Sequence, residues 1–196
     1  MRTDQEYLMK PTKRLRLIEG VVCLLAFVGS IPLANWLIGN VGTECIPQGP
    51  CVIPVFPGIT APSGVLVVGL AFVVRDLLQR RLGMYWAIGG IAAGGLISAM
   101  FAAPSLVVAS TAAFLLSEIA DLFVYTPLQR RGFVRAAFAS SVVGLVVDSV
   151  VFLGLAFGSL DLLAGQVLGK TWMVLLAIPV LMVIRERDRR LGLLPA

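Results

Sequence analysis

Six ionisable side chains sit inside apolar runs of this chain: Arg75, Asp76, Glu118, Asp121, Asp148 and Lys170. Each costs about 2.5 to 3.5 kcal/mol to insert at the centre of a lipid-spanning helix, so each needs a reason to be there. Glu118 and Asp121 are three positions apart and share one helical face, with Tyr125 four further along it. Two carboxylates brought together in a low-dielectric setting hold a proton more tightly than one alone. The pair therefore reads as a proton carrier or as a ligand site for hydrogen-bond donors. Asp148 lies nine residues from Phe157, and Lys170 eight from Leu162. Those offsets put both at a depth of roughly 12 to 14 Å, where an Asp148–Lys170 ion pair is expected. Asp76 and Glu118 share a second, deeper level, about 20 Å down.

Plainer readings stand beside these. Arg75 and Asp76 can snorkel from a helix end to the interface. Asp148 and Lys170 can form a pair that only fixes helix register. Phe114, Phe123, Phe152 and Trp172 lie near the charged positions and suit either a planar ligand or lipid. With no histidine and only three cysteines, metal sites and histidine-base chemistry are poorly supplied, and no cofactor is expected. Cys45 and Cys51 share one loop with a five-residue spacer rich in turn formers, open to a disulfide or to two free thiols.

The elements that must position these groups follow from composition. The 196 residues are 58% hydrophobic and 14% charged, with a mean hydropathy of +0.93, more apolar surface than one water-soluble core can hide. The chain reads as all-α, an integral membrane bundle of six transmembrane helices in a single polytopic domain over 1–196. The spans are expected at about 17–38, 63–82, 84–101, 105–125, 136–157 and 162–184. A basic stretch (Lys10, Lys13, Arg14, Arg16) precedes the first run, as in a signal peptide, but Gly20 to Ile38 exceeds the usual apolar region of roughly 7 to 15 residues. It reads as a retained first span, with Pro32 a potential kink. The stretch from Gly39 to Pro62 is too rich in Gly and Pro for a helix, and its apolar end, Val52 to Phe56, is expected to dip into the membrane.

The second span draws charge inward. Ser63 to Val74 gives only 12 residues, about 18 Å, before Arg75, so the crossing must extend through Leu82 and carry Arg75 and Asp76 with it. The sixth span likewise has to start near Leu162 and include Lys170. In the third, Gly90 and Gly94 have the spacing that lets helices approach closely. Lys and Arg cluster before the first span and after the second, fourth and sixth, while the alternate loops have none. The positive-inside rule then puts both termini in the cytoplasm. This clustering suits anionic lipid headgroups and argues against a nucleic-acid partner. The string LQRR occurs at Leu78–Arg81 and again at Leu128–Arg131, a faint hint of an internal repeat.

The string Ser117-Glu118-Ile119-Ala120-Asp121 with Tyr125, the run Ser140-Ser141 through Asp148-Ser149 to Phe152 and Ala156-Phe157, the helical Lys170, and Asp76 ahead of Gly83 together resemble the VUT family of queuosine-precursor transporters. The likeness spans roughly Ser63 to Ile184. It implies a six-span importer of 7-cyano-7-deazaguanine or a related 7-deazapurine in the cytoplasmic membrane of a bacterium or a related cell. It further implies that Glu118, Asp121, Asp148, Lys170, Asp76, Arg75 and Tyr125 bind substrate or couple its transport. The proline-rich loop with Cys45 and Cys51 departs from the family pattern.

Energy is a separate matter. No phosphate-binding loop of the Walker type is present, so an ion gradient, substrate trapping or a separate ATPase partner must drive uptake. In the last case the chain is the substrate-binding membrane subunit of an ATPase-driven importer. A homo-oligomer is a further option. Two intramembrane aspartates also raise an aspartyl protease, but Asp121 follows Ala120 and lacks the glycine-flanked context expected of one. A Ser-Lys dyad through Lys170 is formally open. A bundle whose charges only fix packing is the remaining alternative, and the expectation is a transporter, not an enzyme.

Overall fold

The computed structural model describes residues 2–47, 49–102 and 104–193, and the side chains of these except at 2–12 and 105. The ends of the 1–196 domain and the side chain of Lys10 thus lie outside the described residues. Six helices follow in order: α1 (Arg2–Asn40), α2 (Val65–Leu82), α3 (Met84–Phe101), α4 (Val107–Leu128), α5 (Phe133–Phe157) and α6 (Leu163–Leu191). Five have stretches long and apolar enough to cross a membrane: Lys13–Asn40, Met84–Phe101, Val107–Leu128, Phe133–Phe157 and Leu163–Leu191. Side chains such as Leu96, Met100, Val108 and Val183 point outward, while Arg75, Asp76 and Asp121 are wholly enclosed. This is the reverse of a protein folded in water and fits a lipid solvent.

The helix between the first and third spans is different. α2 packs against all five other helices and so forms the centre of the bundle. Its four charged residues, Arg75, Asp76, Arg80 and Arg81, are all buried. The snorkelling reading of Arg75 and Asp76 is therefore corrected: both side chains have 0% exposure and face protein, not an interface.

Several helices outrun the expected spans. α1 continues through Pro32 to Asn40, α5 starts at Phe133 and α6 reaches Leu191. Apolar runs mark where lipid ends, whereas Arg and Glu are good helix formers and carry a helix on past it. α4 begins at Val107, two residues late, because one 3-10 turn at Pro104–Leu106 precedes it. Between α2 and α3 the whole turn is Gly83, whose φ of 95° is open to glycine and costly for other residues.

The glycines of α3 do the packing expected of them. A Cβ on Gly94 would lie 2.6 Å from both Ile31 of α1 and Phe114 of α4, and one on Gly90 would touch Leu24, Phe27 and Leu78.

The all-α expectation needs one amendment. The segment after α1 forms a three-stranded antiparallel sheet in the order β1 (Glu44–Cys45), β2 (Cys51–Phe56) and β3 (Ile59–Pro62). Val52 pairs with Glu44 on one side and Pro62 on the other, and Cys45 lies opposite Cys51, to which it is joined by a disulfide. The stretch expected to dip into the membrane is thus the middle strand of a sheet. Its prolines hid it: Pro54 sits where β1 has ended and the register shifts, the kind of edge position a strand tolerates. The sheet caps one end of the bundle. Thr60 rests on Gly165, where a Cβ would come within 1.9 Å of its carbonyl oxygen, and Ser63 Oγ donates to the Leu37 carbonyl at 2.7 Å.

Ion pairs close the opposite end. Arg81 meets Asp188 through two bonds of 2.8 Å, reaches Glu19 through Nε at 2.7 Å and accepts at its carbonyl from Arg16. Arg80 also binds Asp188 at 3.0 Å and lies over the Phe133 ring, and Arg187 joins Glu19 at 2.6 Å. This clasp ties α1, α2, α5 and α6 together. The second LQRR string has no such role, since Arg130 and Arg131 are exposed, so the two copies are not structurally equivalent.

Candidate functional site

Arg75 is the hub of the interior. Its Nη1 lies 2.9 Å from Asp76 Oδ1 and donates to Gln79 Oε1 at 3.1 Å. Its Nε donates to Glu118 Oε2 at 3.2 Å, and Nη2 lies 2.8 Å from Asp121 Oδ1. A guanidinium offers five N–H donors in a planar fork, and this one faces three carboxylates and an amide, with hydrogen bonds made to Glu118 and Gln79. Ser140 of α5 donates to the second oxygen of Asp76 at 3.0 Å, and Gln79 passes the network on to Thr126. Tyr125 stacks its ring 5.7 Å from the guanidinium carbon.

Local sequence explains how three helices come so close. A Cβ on Gly144 would lie 2.8 Å from Phe72 and 3.2 Å from the Asp121 Cβ, so the bare backbone of α5 lets α2 and α4 in at that level. Glu118 and Asp121 do share a face, as their spacing predicts. They face Arg75 rather than each other, however, so they are not a bare pair splitting one proton.

A second cluster lies on α5 and α6. Lys170 Nζ is 2.5 Å from Asp148 Oδ2 and donates to Ser149 Oγ at 2.8 Å, and Ser149 in turn donates to the Leu145 carbonyl. Gly69 of α2 makes room for it, since a Cβ there would meet the Lys170 backbone at 2.7 Å.

One cavity joins the two clusters. It opens among α1, α2, α4, α5 and α6, and both Glu118 and Asp148 stand on its wall. Phe72, Phe114 and Phe152 supply aromatic faces; Ser30, Asn35, Ser110, Ser117 and Gln166 supply polar groups. Of the aromatics singled out in the sequence, Phe114 and Phe152 are at the cavity, while Phe123 and Trp172 point outward at 74% and 44% exposure. Sequence reasoning did not single out Gln166, Ser110 or Gln79. Gln166 carries a legible signal, being one helical turn before Lys170. Ser110 and Ser117 likewise recur at a two-turn interval on the face of Glu118.

No three of the acidic or thiol side chains converge as a metal site among the described residues. An aspartyl-protease dyad requires two aspartates sharing a proton and a water. Here Asp76 and Asp121 each face the same guanidinium.

The apolar exterior and the helices long enough to cross a bilayer define a multi-pass protein of the cell membrane. Over residues 97–184 the chain matches the model of the family described as "Putative vitamin uptake transporter". The match covers 88 of the 196 residues and is consistent with the resemblance at the level of a membrane uptake transporter family, which is not an enzyme class. The match covers Glu118, Asp121, Asp148 and Lys170 and stops short of Arg75, Asp76 and the disulfide. No curated protein and no solved structure matches the chain.

Proposed function

We propose that the chain imports 7-cyano-7-deazaguanine or a related 7-deazapurine, and that the cavity between Glu118 and Asp148 is where the base binds. The cavity carries the reading: it is a mostly apolar chamber within the bundle with carboxylates of two buried clusters on its wall. A carboxylate accepts two parallel hydrogen bonds from the N1 and exocyclic amine edge of a guanine-like base. Glu118 uses Oε2 towards Arg75, and among the described residues no hydrogen bond or ion pair engages Oε1. Phe114 and Phe152 provide faces for the ring, and Asp148, held by Lys170, is the second carboxylate on the wall to meet it.

In this reading α2 is the sixth span. Its 18 residues reach about 27 Å, close to a hydrocarbon core, and its charges are tolerated because five helices shield them. Both termini then lie in the cytoplasm with the arginine clasp, and the disulfide-bonded sheet lies outside.

The test is uptake of labelled 7-cyano-7-deazaguanine into cells lacking their own transporter, at matched membrane expression. The parent accumulates label, and Glu118→Gln, which keeps the shape but loses the acceptor charge, falls at least tenfold, as expected for a charge-assisted bond of about 1.5 to 3 kcal/mol. No uptake by a well-inserted parent would refute the reading.

A further inference from the structure

The Arg75 cluster is out of electrical balance. Three carboxylates, Asp76, Glu118 and Asp121, surround one guanidinium, and all four side chains are at most 2% exposed. Asp148, the other carboxylate on the cavity wall, already has its own counter-ion in Lys170. With every carboxyl ionised, the cluster would hold an excess of two negative charges in the least polar part of the molecule, a state that buried groups avoid by taking up protons. A bare metal cation is a poorer solution. The carboxylate oxygens converge on the guanidinium, and no three acidic side chains converge on a vacant point among the described residues.

Asp121 is the least satisfied of the three carboxylates: among the described residues neither of its buried oxygens has a hydrogen-bond partner, and neither has Tyr125 Oη, on the same helix face one turn on, with its ring against Arg75. Asp76 differs, since Ser140 satisfies its second oxygen. A proton on Asp121 turns an acceptor without a partner into a donor and removes one of the excess charges.

We propose that the Arg75 cluster is a proton-binding site, with Asp121 as the main carrier, and that it couples import to proton entry. This rests on the substrate reading above. A guanine-like edge is a hydrogen-bond donor and needs Glu118 ionised; an ionised Glu118 is better tolerated when Asp121 is protonated. Substrate and proton therefore favour each other's binding, and by linkage the coupling runs both ways. The groups facing Asp121 are Arg75 and Asp76 from α2, Glu118 and Tyr125 from α4 and the neutral Ser140 and Gly144 from α5, with Asp148, paired to Lys170, further along the cavity wall. Glu118, the member of the cluster on the cavity wall, is the point of exchange with water.

Two measurements separate failure of this inference from failure of the substrate reading. The first needs no substrate: infrared spectra of the purified protein at neutral pH, with and without isotope-labelled aspartate. An un-ionised carboxyl band that shifts with the aspartate label and is lost in Asp121→Asn is expected; absence of any such band overturns the proton site. The second is uptake of 7-cyano-7-deazaguanine by sodium-free proteoliposomes carrying an internal pH dye. An acid-outside gradient is expected to speed uptake at least severalfold, and substrate addition without a gradient to acidify the lumen. Uptake that ignores the pH gradient, or that requires sodium, overturns proton coupling while leaving the substrate assignment standing.

Discussion

Lys170 and Asp148 show what a buried charge demands of its neighbours. Removing one member leaves the other unpaired inside the bundle, at a cost of about 3 to 5 kcal/mol, whereas removing both leaves nothing uncompensated. Lys170→Met and Asp148→Asn are each expected to lower thermal stability in detergent strongly, and the double variant to recover most of the loss. Losses that simply add in melting experiments would contradict the pairing. At this scale the sequence was informative where both partners could be placed by counting along helices: the depth of Asp148 and Lys170 and the shared face of Glu118 and Asp121 follow from 1.5 Å per residue and a 3.6-residue turn. The role of Arg75 did not follow. Whether an arginine five residues before the basic pair that ends its helix turns inward or towards the interface depends on how many neighbours that helix has, and no single-chain periodicity reports that.

Among the elements, the α2 helix was legible in its extent: the run from Ser63 was expected to continue through Leu82 and take Arg75 and Asp76 with it, and the helix does reach Leu82 with both side chains buried. What positions it is glycine. Gly69 puts α2 against the Lys170 backbone, and Gly69→Val forces the two helices apart, with a cost of about 1 to 3 kcal/mol for overpacking. A lower melting temperature together with reduced uptake is the expected result, and an unchanged variant would contradict the close approach. The clasp at the arginine end makes a parallel case. Asp188→Asn strips Arg80 and Arg81 of their shared carboxylate, and a loss of about 3 to 5 kcal/mol is expected from chemical unfolding in detergent. Glu186→Gln, at a site 42% exposed whose partners are exposed arginines on its own helix, is expected to leave the unfolding midpoint nearly unchanged. The sheet was the least legible element. Val52, Ile53, Val55 and Phe56 have strand character, but the prolines around them read as loop, and the pairing that rescues them joins segments the local pattern does not connect.

The molecule as a whole is organised between two ends, an arginine clasp and a disulfide-bonded sheet, with the polar interior and its cavity between them. Lys and Arg cluster in alternate loops of the sequence, and by the positive-inside rule the arginine clasp is expected on the cytoplasmic side. In intact cells, Cys45 and Cys51 are expected to react with a membrane-impermeant thiol reagent after reduction, and Cys23, on α1, is expected to remain protected. Labelling of the pair only after permeabilisation would invert the topology.

The central claim, that Glu118 reads the donor edge of a guanine-like base, is tested most directly by competition. Labelled 7-cyano-7-deazaguanine uptake is measured against unlabelled parent base and against an analogue lacking only the exocyclic amine. A site built to accept that amine leaves the carboxylate under-satisfied when it is missing, so the analogue is expected to compete at least tenfold more weakly, and Glu118→Gln to erase the difference. Equal competition by both bases in the parent protein would contradict the account.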